Sequence, residues 1–286
     1  MYNSNWHIMG VMNLTPNSFS DGNCLSTDAA IQERFQHLFN NQVEAVDLGF
    51  ESTAPMNASL SLEQELERVH SFLDLDLSLL LKFKIISIDT YRLQVVETIL
   101  LALLKQNFSG RLLWNDISGQ LDGEALLLLQ KYSNLDYVFC HNLSNSRETG
   151  SAHMTYKSNG PLDLKAYFLK ALDHFKTIDS DRVWFDPCFG FSKDQGQNIE
   201  LLKELPHLIA SFGDSRPWVV GLSRKSFMRS FIEEIDGNLT REELLSYSEY
   251  FHILAISHFR NVSNPLYFRV HNPLVVTVSD KFLHLF

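Results

Sequence analysis

Eight times along 286 residues, a short apolar run stops at a polar or charged residue and gives way to a stretch with helical spacing. The runs are Ile8–Met12, Val43–Leu48, Lys84–Ile88, Leu112–Trp114, Leu135–Cys140, Arg182–Phe185, Trp218–Gly221 and Leu266–Val270. Their brevity suits buried strands. Between them, residues 28–41, 61–81, 92–106, 120–132, 161–178, 196–211 and 224–260 carry apolar positions at helical intervals, the last broken around Asp236-Gly237-Asn238, and 274–285 reads as a short final helix. Ser61 with Gln64 fits a capping box at the second helix. Strand–helix alternation implies a parallel sheet, and eight units imply a closed (β/α)₈ barrel. An open doubly wound sheet usually carries Gly-x-Gly-x-x-Gly after its first strand, and none is present. No linker divides the units, so residues 1–286 read as one α/β domain. The long polar stretch 142–160 has little periodicity and reads as a mobile loop.

Composition excludes several classes of function. The chain is 45% hydrophobic, enough for a sizeable core. A net charge of -10 argues against nonspecific binding to nucleic acid or an acidic membrane. The leucine-rich stretches are too short to span a bilayer. The amino terminus lacks the basic and apolar regions of a secretory signal. Cys24, Cys140 and Cys188 are widely spaced, with neither a disulfide framework nor zinc-ligand spacing. A reduced, cytoplasmic setting follows as the expectation.

The strand ends carry the chemistry. Asn13, Asp47, Asp89, Asn115, Asp116, His141, Asp186, Lys225, Arg269 and His271 terminate or follow successive strands, and in a barrel such residues share one face. A lone aspartate there is more often a helix cap; a whole ring of polar ends is not explained that way. The basic members cluster late (Lys193, Arg224, Lys225, Arg269 and His271), where such barrels often hold phosphate. Ser223-Arg-Lys-Ser at a helix start adds unpaired backbone N–H groups and the positive end of the dipole. The carboxylates suit a heteroaromatic ligand. One carboxylate accepts both N–H donors of a 2-amino-4-oxo pyrimidine edge while an ammonium donates to the ring carbonyl; Asp186 with Lys225 supplies that pair, and Asn115 and Asp89 complete the edge. Phe189 and Phe191 offer apolar walls, with core packing an equal role for one of them.

In order along the chain, Met9-Gly-Val-Met-Asn-Leu-Thr-Pro-Asn-Ser-Phe-Ser-Asp-Gly, Asp47-Leu-Gly-Phe-Glu-Ser-Thr, Ser87-Ile-Asp-Thr, Trp114-Asn-Asp-Ile, Asp186-Pro-Cys-Phe-Gly-Phe-Ser-Lys, Gly221-Leu-Ser-Arg-Lys-Ser and Arg269-Val-His resemble the motifs of one family, the dihydropteroate synthases of folate biosynthesis. Any one is weak; seven in order, each at a strand end, are strong. The resemblance implies a homodimeric (β/α)₈ transferase that joins 7,8-dihydropterin-CH₂-diphosphate to p-aminobenzoate and releases diphosphate. It implies pterin contacts from Asp89, Asn115, Asp186, Lys225 and Arg269. It implies diphosphate contacts from Asn13, Arg269 and His271, with Asn13 also ligating Mg²⁺. Asp21 would stabilise a cationic pterin intermediate, and p-aminobenzoate would lie against Phe19, Thr53, Pro55 and Phe191 with its carboxylate at Ser223. Catalysis would rest on Asp21, Lys225, Arg269 and His271.

The chain departs from that pattern. Ala54 stands where the family usually has the Arg of Ser-Thr-Arg-Pro; losing one charge-assisted hydrogen bond of roughly 1.5–3 kcal/mol costs about 10- to 150-fold unless replaced. Lys193, Arg147 and Lys157 are the candidate replacements. Asn17 replaces an Asp, Phe50 and Cys188 replace glycines, and Asn142 replaces a common Met; a side chain at 188 implies that any positive-φ backbone there has changed. Three readings follow: an active synthase; a diverged pterin-binding paralogue without the reaction, favoured by Ala54 and Asn17; and a pterin-dependent methyltransferase of the same superfamily, opposed by the Ser-Arg-Lys-Ser turn and the first loop.

Overall fold

A computed structural model describes residues 5–15, 25, 27–51, 59–152, 154–155, 157, 161–234 and 237–283. Eight parallel strands close into a barrel in sequence order: β1 (Trp6–Asn13), β2 (Ala45–Gly49), β3 (Ile85–Asp89), β4 (Arg111–Asp116), β5 (Leu135–Cys140), β6 (Val183–Asp186), β7 (Trp218–Val220) and β8 (Leu266–Val270), with β8 paired back onto β1. The helices are α1 (Asp28–Asn40), α2 (Leu62–Leu73), α3 (Leu93–Lys105), α4 (Gly123–Lys131), α5 (Leu164–His174), α6 (Gln195–Ala210), α7 (Ser226–Glu233), α8 (Arg241–Ser257) and α9 (Leu274–Leu283). The (β/α)₈ expectation is met strand by strand.

Side chains of a strand alternate between its two faces, so each strand feeds two cores. Outward residues such as Ile8, Val46, Ile86, Trp114, Phe139, Phe185, Trp218 and Phe268 pack against the helices. Inward residues Met9, Ala45, Ile85, Leu113, Val138, Trp184, Val219 and Tyr267 fill the barrel. Toward the carboxyl ends the inward positions turn polar: Asn13, Asp47, Ser87, Asp89, Asn115, Asp186 and Arg269. The barrel is thus plugged by apolar layers below and opens on a polar ring above.

Two expectations are corrected. Helix α2 begins with the expected capping box at Ser61 and Gln64 but stops at Leu73. Asp76 accepts from the amide and hydroxyl of Ser78, a local turn that competes with helix, and a 3₁₀ turn at Leu80–Lys82 leads into β3. The stretch after β5 is not a free loop over 142–152. Asn142 donates to the carbonyls of Ile117 (2.7 Å) and Gly150 (3.0 Å) and accepts from Ser192, so the residue that departs from the family is the hub of the segment. Arg147 lies over the Trp114 ring, pairs with Asp116 at 2.5 Å and grips Asp122 with two nitrogens at 2.9 and 2.7 Å. Tyr137 donates to the same Asp116 carboxylate. Asp116 therefore faces outward and holds this brace; it is not part of the inner ring.

Removing one partner of a buried pair leaves the other charge without compensation, at a cost of about 3–5 kcal/mol. We expect Arg147→Ala to lower the unfolding free energy by that amount in urea denaturation; a loss below about 1 kcal/mol would show the brace to be solvated and dispensable.

Candidate active site

The floor of the polar ring is one carboxylate. Asp47, wholly buried in β2, accepts from the Ser87 hydroxyl at 2.5 Å, from the Asn115 amide at 3.3 and 3.4 Å, and from Arg269 Nε at 2.5 Å. Arg269 extends its other nitrogen to Asp89 at 2.5 Å. The two Arg269 contacts tie β8 to β2 and β3, and Asn115 brings in β4. Burial and the neighbouring Asp47 charge push the Asp89 carboxyl up, against the pull of Arg269. Asp47 was read as a strand-end residue but not assigned to the site. Its signal was there to find: an ionisable residue in the middle of a β-branched strand must be paired if it is buried.

Asp186 closes the opposite side from the end of β6. Its carboxylate accepts from the Cys188 amide at 2.6 Å, and burial raises its pKa while Lys225 and Arg269 pull it down. The following loop coils tightly, with positive φ at Cys188 (50°), Gly190 (83°) and Ser192 (54°). The expectation that a side chain at 188 goes with a backbone out of the left-handed region is corrected, since Cys188 itself adopts it. The coil turns the carbonyls of Cys188 and Phe191 onto Lys193 Nζ at 3.0 and 2.9 Å. Burial lowers the Lys193 pKa to about 8. Lys225 lies with Nζ 4.9 Å from the Phe191 ring centre, its stem against Gly190. Burial and the nearby Arg269 lower its pKa. Phe191 therefore belongs to the inner layer under Lys225. Phe189 is core, stacked on Phe227 at 5.8 Å.

Ser223 and His271 form a third group. The His271 amide donates to Ser223 Oγ at 3.2 Å, and Oγ lies 3.0 Å from His271 Nδ1. The Ser223 oxygen accepts from the amide and shares a hydrogen bond with Nδ1 whose direction is set by the imidazole tautomer. Burial and the cations Arg224, Arg269, Arg34 and Lys225 hold the His271 pKa well below its ordinary value. Arg224, at φ 58°, and Lys225 lead into α7, whose amino end has no side-chain cap. Asn13 ends β1, its Oδ1 and Asp89 Oδ2 both 3.7 Å from the Cβ that a side chain at Gly49 would add. Asn13, Asp89, Asn115, Asp186, Lys225, Arg269, Ser223 and His271 thus gather at one end of the barrel.

Phe19, Asp21, Thr53, Ala54 and Pro55 lie outside the described residues, as does Asn17. The ends of the second loop are held together: Glu51 accepts from the Leu60 amide at 3.0 Å, and Arg92 donates to Glu51, Glu65 and the Leu60 carbonyl. Phe50, in place of a glycine, points outward and packs edge-on against Phe72 at 5.5 Å. Two of the expected replacements for the missing Arg are corrected, because Arg147 is committed to Asp116 and Asp122, and Lys193 to backbone carbonyls.

Residues 9–259 match the sequence profile described as pterin binding enzyme. The chain is 32% identical to the dihydropteroate synthase of Streptococcus pyogenes over 227 residues, 79% of this chain and 77% of that protein. It is 32% identical over 239 residues to that of Staphylococcus haemolyticus, covering 82% and 81%. The chain belongs to the dihydropteroate synthase family. These enzymes are transferases of folate biosynthesis. Among solved structures, the Clostridium difficile dihydropteroate synthase determined in the presence of pteroic acid superposes with a TM-score of 0.74 at 25% identity, over 99% of this chain and 97% of that one.

The His271 geometry makes a pH prediction. A histidine whose folded pKa is depressed binds fewer protons folded than unfolded, so its contribution to stability is lost as pH falls through about 6.5 and below. An anion at the imidazole favours the charged form and raises that pKa. We expect the His271 ring resonances in a proton NMR titration to stay at their neutral positions above about pH 6 in the free protein and to titrate upward when diphosphate is added; an unchanged curve would remove His271 from the anion site.

Proposed function

We propose that the chain condenses 7,8-dihydropterin-CH₂-diphosphate with p-aminobenzoate, releasing diphosphate. The observation that carries this reading is the inward convergence of Asp89, Asn115, Asp186, Lys225 and Arg269 on one ring at the carboxyl ends of the strands. Asp186 accepts two hydrogen bonds from the pterin edge, Lys225 donates to its carbonyl, Asn115 and Asp89 complete the edge, and Arg269 stacks on the ring. Pteroic acid, in whose presence the Clostridium difficile relative was determined, contains both a pterin and a p-aminobenzoate unit. The reading of a non-catalytic paralogue is not favoured, since the relatives that the chain matches over most of its length are dihydropteroate synthases.

Breaking the bond to diphosphate leaves a cationic pterin, and the amine of p-aminobenzoate then attacks its methylene carbon and loses a proton. This chemistry needs leaving-group stabilisation more than a general base. Arg269 and His271 face the departing oxygens, and Asp21 compensates the pterin cation. Phe19, Thr53, Pro55 and Phe191 wall the p-aminobenzoate, and Ser223 at the start of α7 receives its carboxylate. Asn13 offers a neutral oxygen in a ring of oxygen donors, a set that suits Mg²⁺ once diphosphate adds its own oxygens. The bound ion would supply Lewis-acid stabilisation of the leaving group.

The decisive assay couples diphosphate release to pterin diphosphate, p-aminobenzoate and Mg²⁺. Asp186→Asn puts an amide donor against a pterin donor; we expect 6-hydroxymethylpterin affinity in calorimetry to fall at least tenfold, about 1.4 kcal/mol. Unchanged affinity, or wild-type protein that binds pterin yet releases no diphosphate, would sink the synthase reading. Because Arg147 and Lys193 are committed elsewhere, Ala54→Arg should raise kcat/KM about tenfold or more with pterin affinity little changed. A neutral or harmful effect in the same assay would mean that another cation already fills the role.

The reading includes a homodimer in the cytoplasm. Tyr247, Tyr250 and Leu254 form an exposed stripe on α8, and Leu274, Val278 and Phe282 form another on the adjoining α9. Two neighbouring apolar stripes of this kind mark an association surface, here for a second copy. Sedimentation should give a dimer that Leu254→Glu converts to monomer; a wild-type monomer would refute it. Cys140 and Cys188 are free thiols, which suits a reducing compartment. No helix among the described residues is long and apolar enough to cross a membrane.

A further inference from the structure

The synthase reaction uses the carboxylate of Asp186 and leaves idle the two thiols beside it. Cys140 ends β5, faces into the barrel, and lies with Sγ 3.8 Å from Asn115 Oδ1. Cys188 follows Asp186 by two residues, and its amide is bonded to that carboxylate. Both are buried and unoxidised. The two sulfurs and a carboxylate oxygen of Asp186 all lie within 4.8 Å of one another.

Those distances suit a small tetrahedral ion. With metal–sulfur bonds of about 2.3 Å, two thiolates on one zinc sit roughly 3.8 Å apart, so the sulfurs need close by no more than about 1 Å. The charges are also compatible with a divalent cation. Two thiolates and a carboxylate around a divalent cation leave one negative charge, and the ammonium groups of Lys193 and Lys225 act on the same cluster. Backbone strain points the same way. A left-handed conformation is disfavoured for Cys and free for Gly, yet Cys occupies φ 50° at this position. Strained residues held in place at a pocket floor are where function is sought.

We propose that Cys140, Cys188 and Asp186 form a binding site for a thiophilic divalent cation of the zinc–cadmium class at the floor of the barrel mouth. On binding, each thiol gives its proton to solvent and the ion gains two sulfur bonds and one oxygen bond, with the fourth position left to water. Magnesium, a hard cation, does not compete for it. Occupation takes the Asp186 carboxylate away from the pterin edge, so the ion inhibits pterin binding; this second half rests on the pterin assignment above.

The test uses cadmium, whose bonds to thiolate give a charge-transfer absorbance in the ultraviolet. Cys24 lies outside the described residues, so the full chain is made as Cys24→Ser, leaving two thiols. The band should saturate at a single equivalent of cadmium and be displaced by zinc but not by Mg²⁺. Cys140→Ser and Cys188→Gly, each checked for folding by circular dichroism, should lose it. Their cadmium affinity in calorimetry should fall by more than the roughly 10- to 100-fold that loss of an outer partner costs. Saturating cadmium should weaken 6-hydroxymethylpterin binding at least tenfold, reversed by a chelator. Absence of the band, or a band that survives both substitutions, overturns the site. Pterin affinity equal with and without cadmium overturns the inhibition. Pterin that fails to bind the metal-free chain overturns the pocket assignment instead, while the cadmium band still decides the metal site.

Discussion

The contact between Asp47 and Arg269 organises the mouth of this barrel. Taking two charges out of water costs several kcal/mol each, and their attraction offsets that only when the remaining lone pairs and protons are satisfied. Here they are: Ser87 and Asn115 complete Asp47, and Asp89 takes the other end of the guanidinium. These five residues come from four strands, β2, β3, β4 and β8, so the geometry exists only when the barrel has closed with β8 beside β1 and β2 in register with β3. The pair contributes little net stability. It fixes where a planar guanidinium and two carboxylates sit, and a planar ligand is read by groups whose positions do not drift.

Architecture was legible because each strand announces itself by length and by the polar residue at its end. Trp218–Val220 forms only three residues of strand, yet its apolar run before Gly221 marked it. The capping residue Ser61 starts α2, and the break read around Gly237 separates α7 from α8, because these signals are local. The end of α2 was not legible. Leu77, Leu79 and Leu80 continue a helical rhythm, but Asp76 bonds its own neighbourhood and the apolar residues pack from a turn instead.

The site was legible in its members and less so in its wiring. Asp89, Asn115, Asp186, Lys225 and Arg269 are nameable from strand ends because a closed parallel barrel leaves such residues only one face. The position of Asp47 inside an apolar strand signals that it must be paired, but nothing local shows that its partner is an arginine 222 residues away. The same limit applies to Asp116. Its neighbour Asn115 faces in and Asp116 faces out, so adjacent polar residues of one motif serve the site and the scaffold respectively. Alternation along β4 makes that assignment, and it becomes visible only when the inward parity of the strand is known.

The departures from the family also sort by direction. Phe50 and Asn142 sit outside the ring, where a ring against Phe72 or an amide bracing residues 142–152 can be accommodated by repacking of neighbours. Cys188 sits inside it, on a backbone that keeps the left-handed turn, because Lys193 collects the carbonyls on either side and the Asp186 carboxylate holds its amide. Relaxing φ at 188 would break the amide bond to Asp186 and turn a carbonyl away from a buried ammonium. Together those losses, roughly 1.5–3 kcal/mol each, outweigh the roughly 1–2 kcal/mol of a strained Cys. The left-handed turn at 188 is therefore held by its surroundings, and its thiol lies beside that of Cys140.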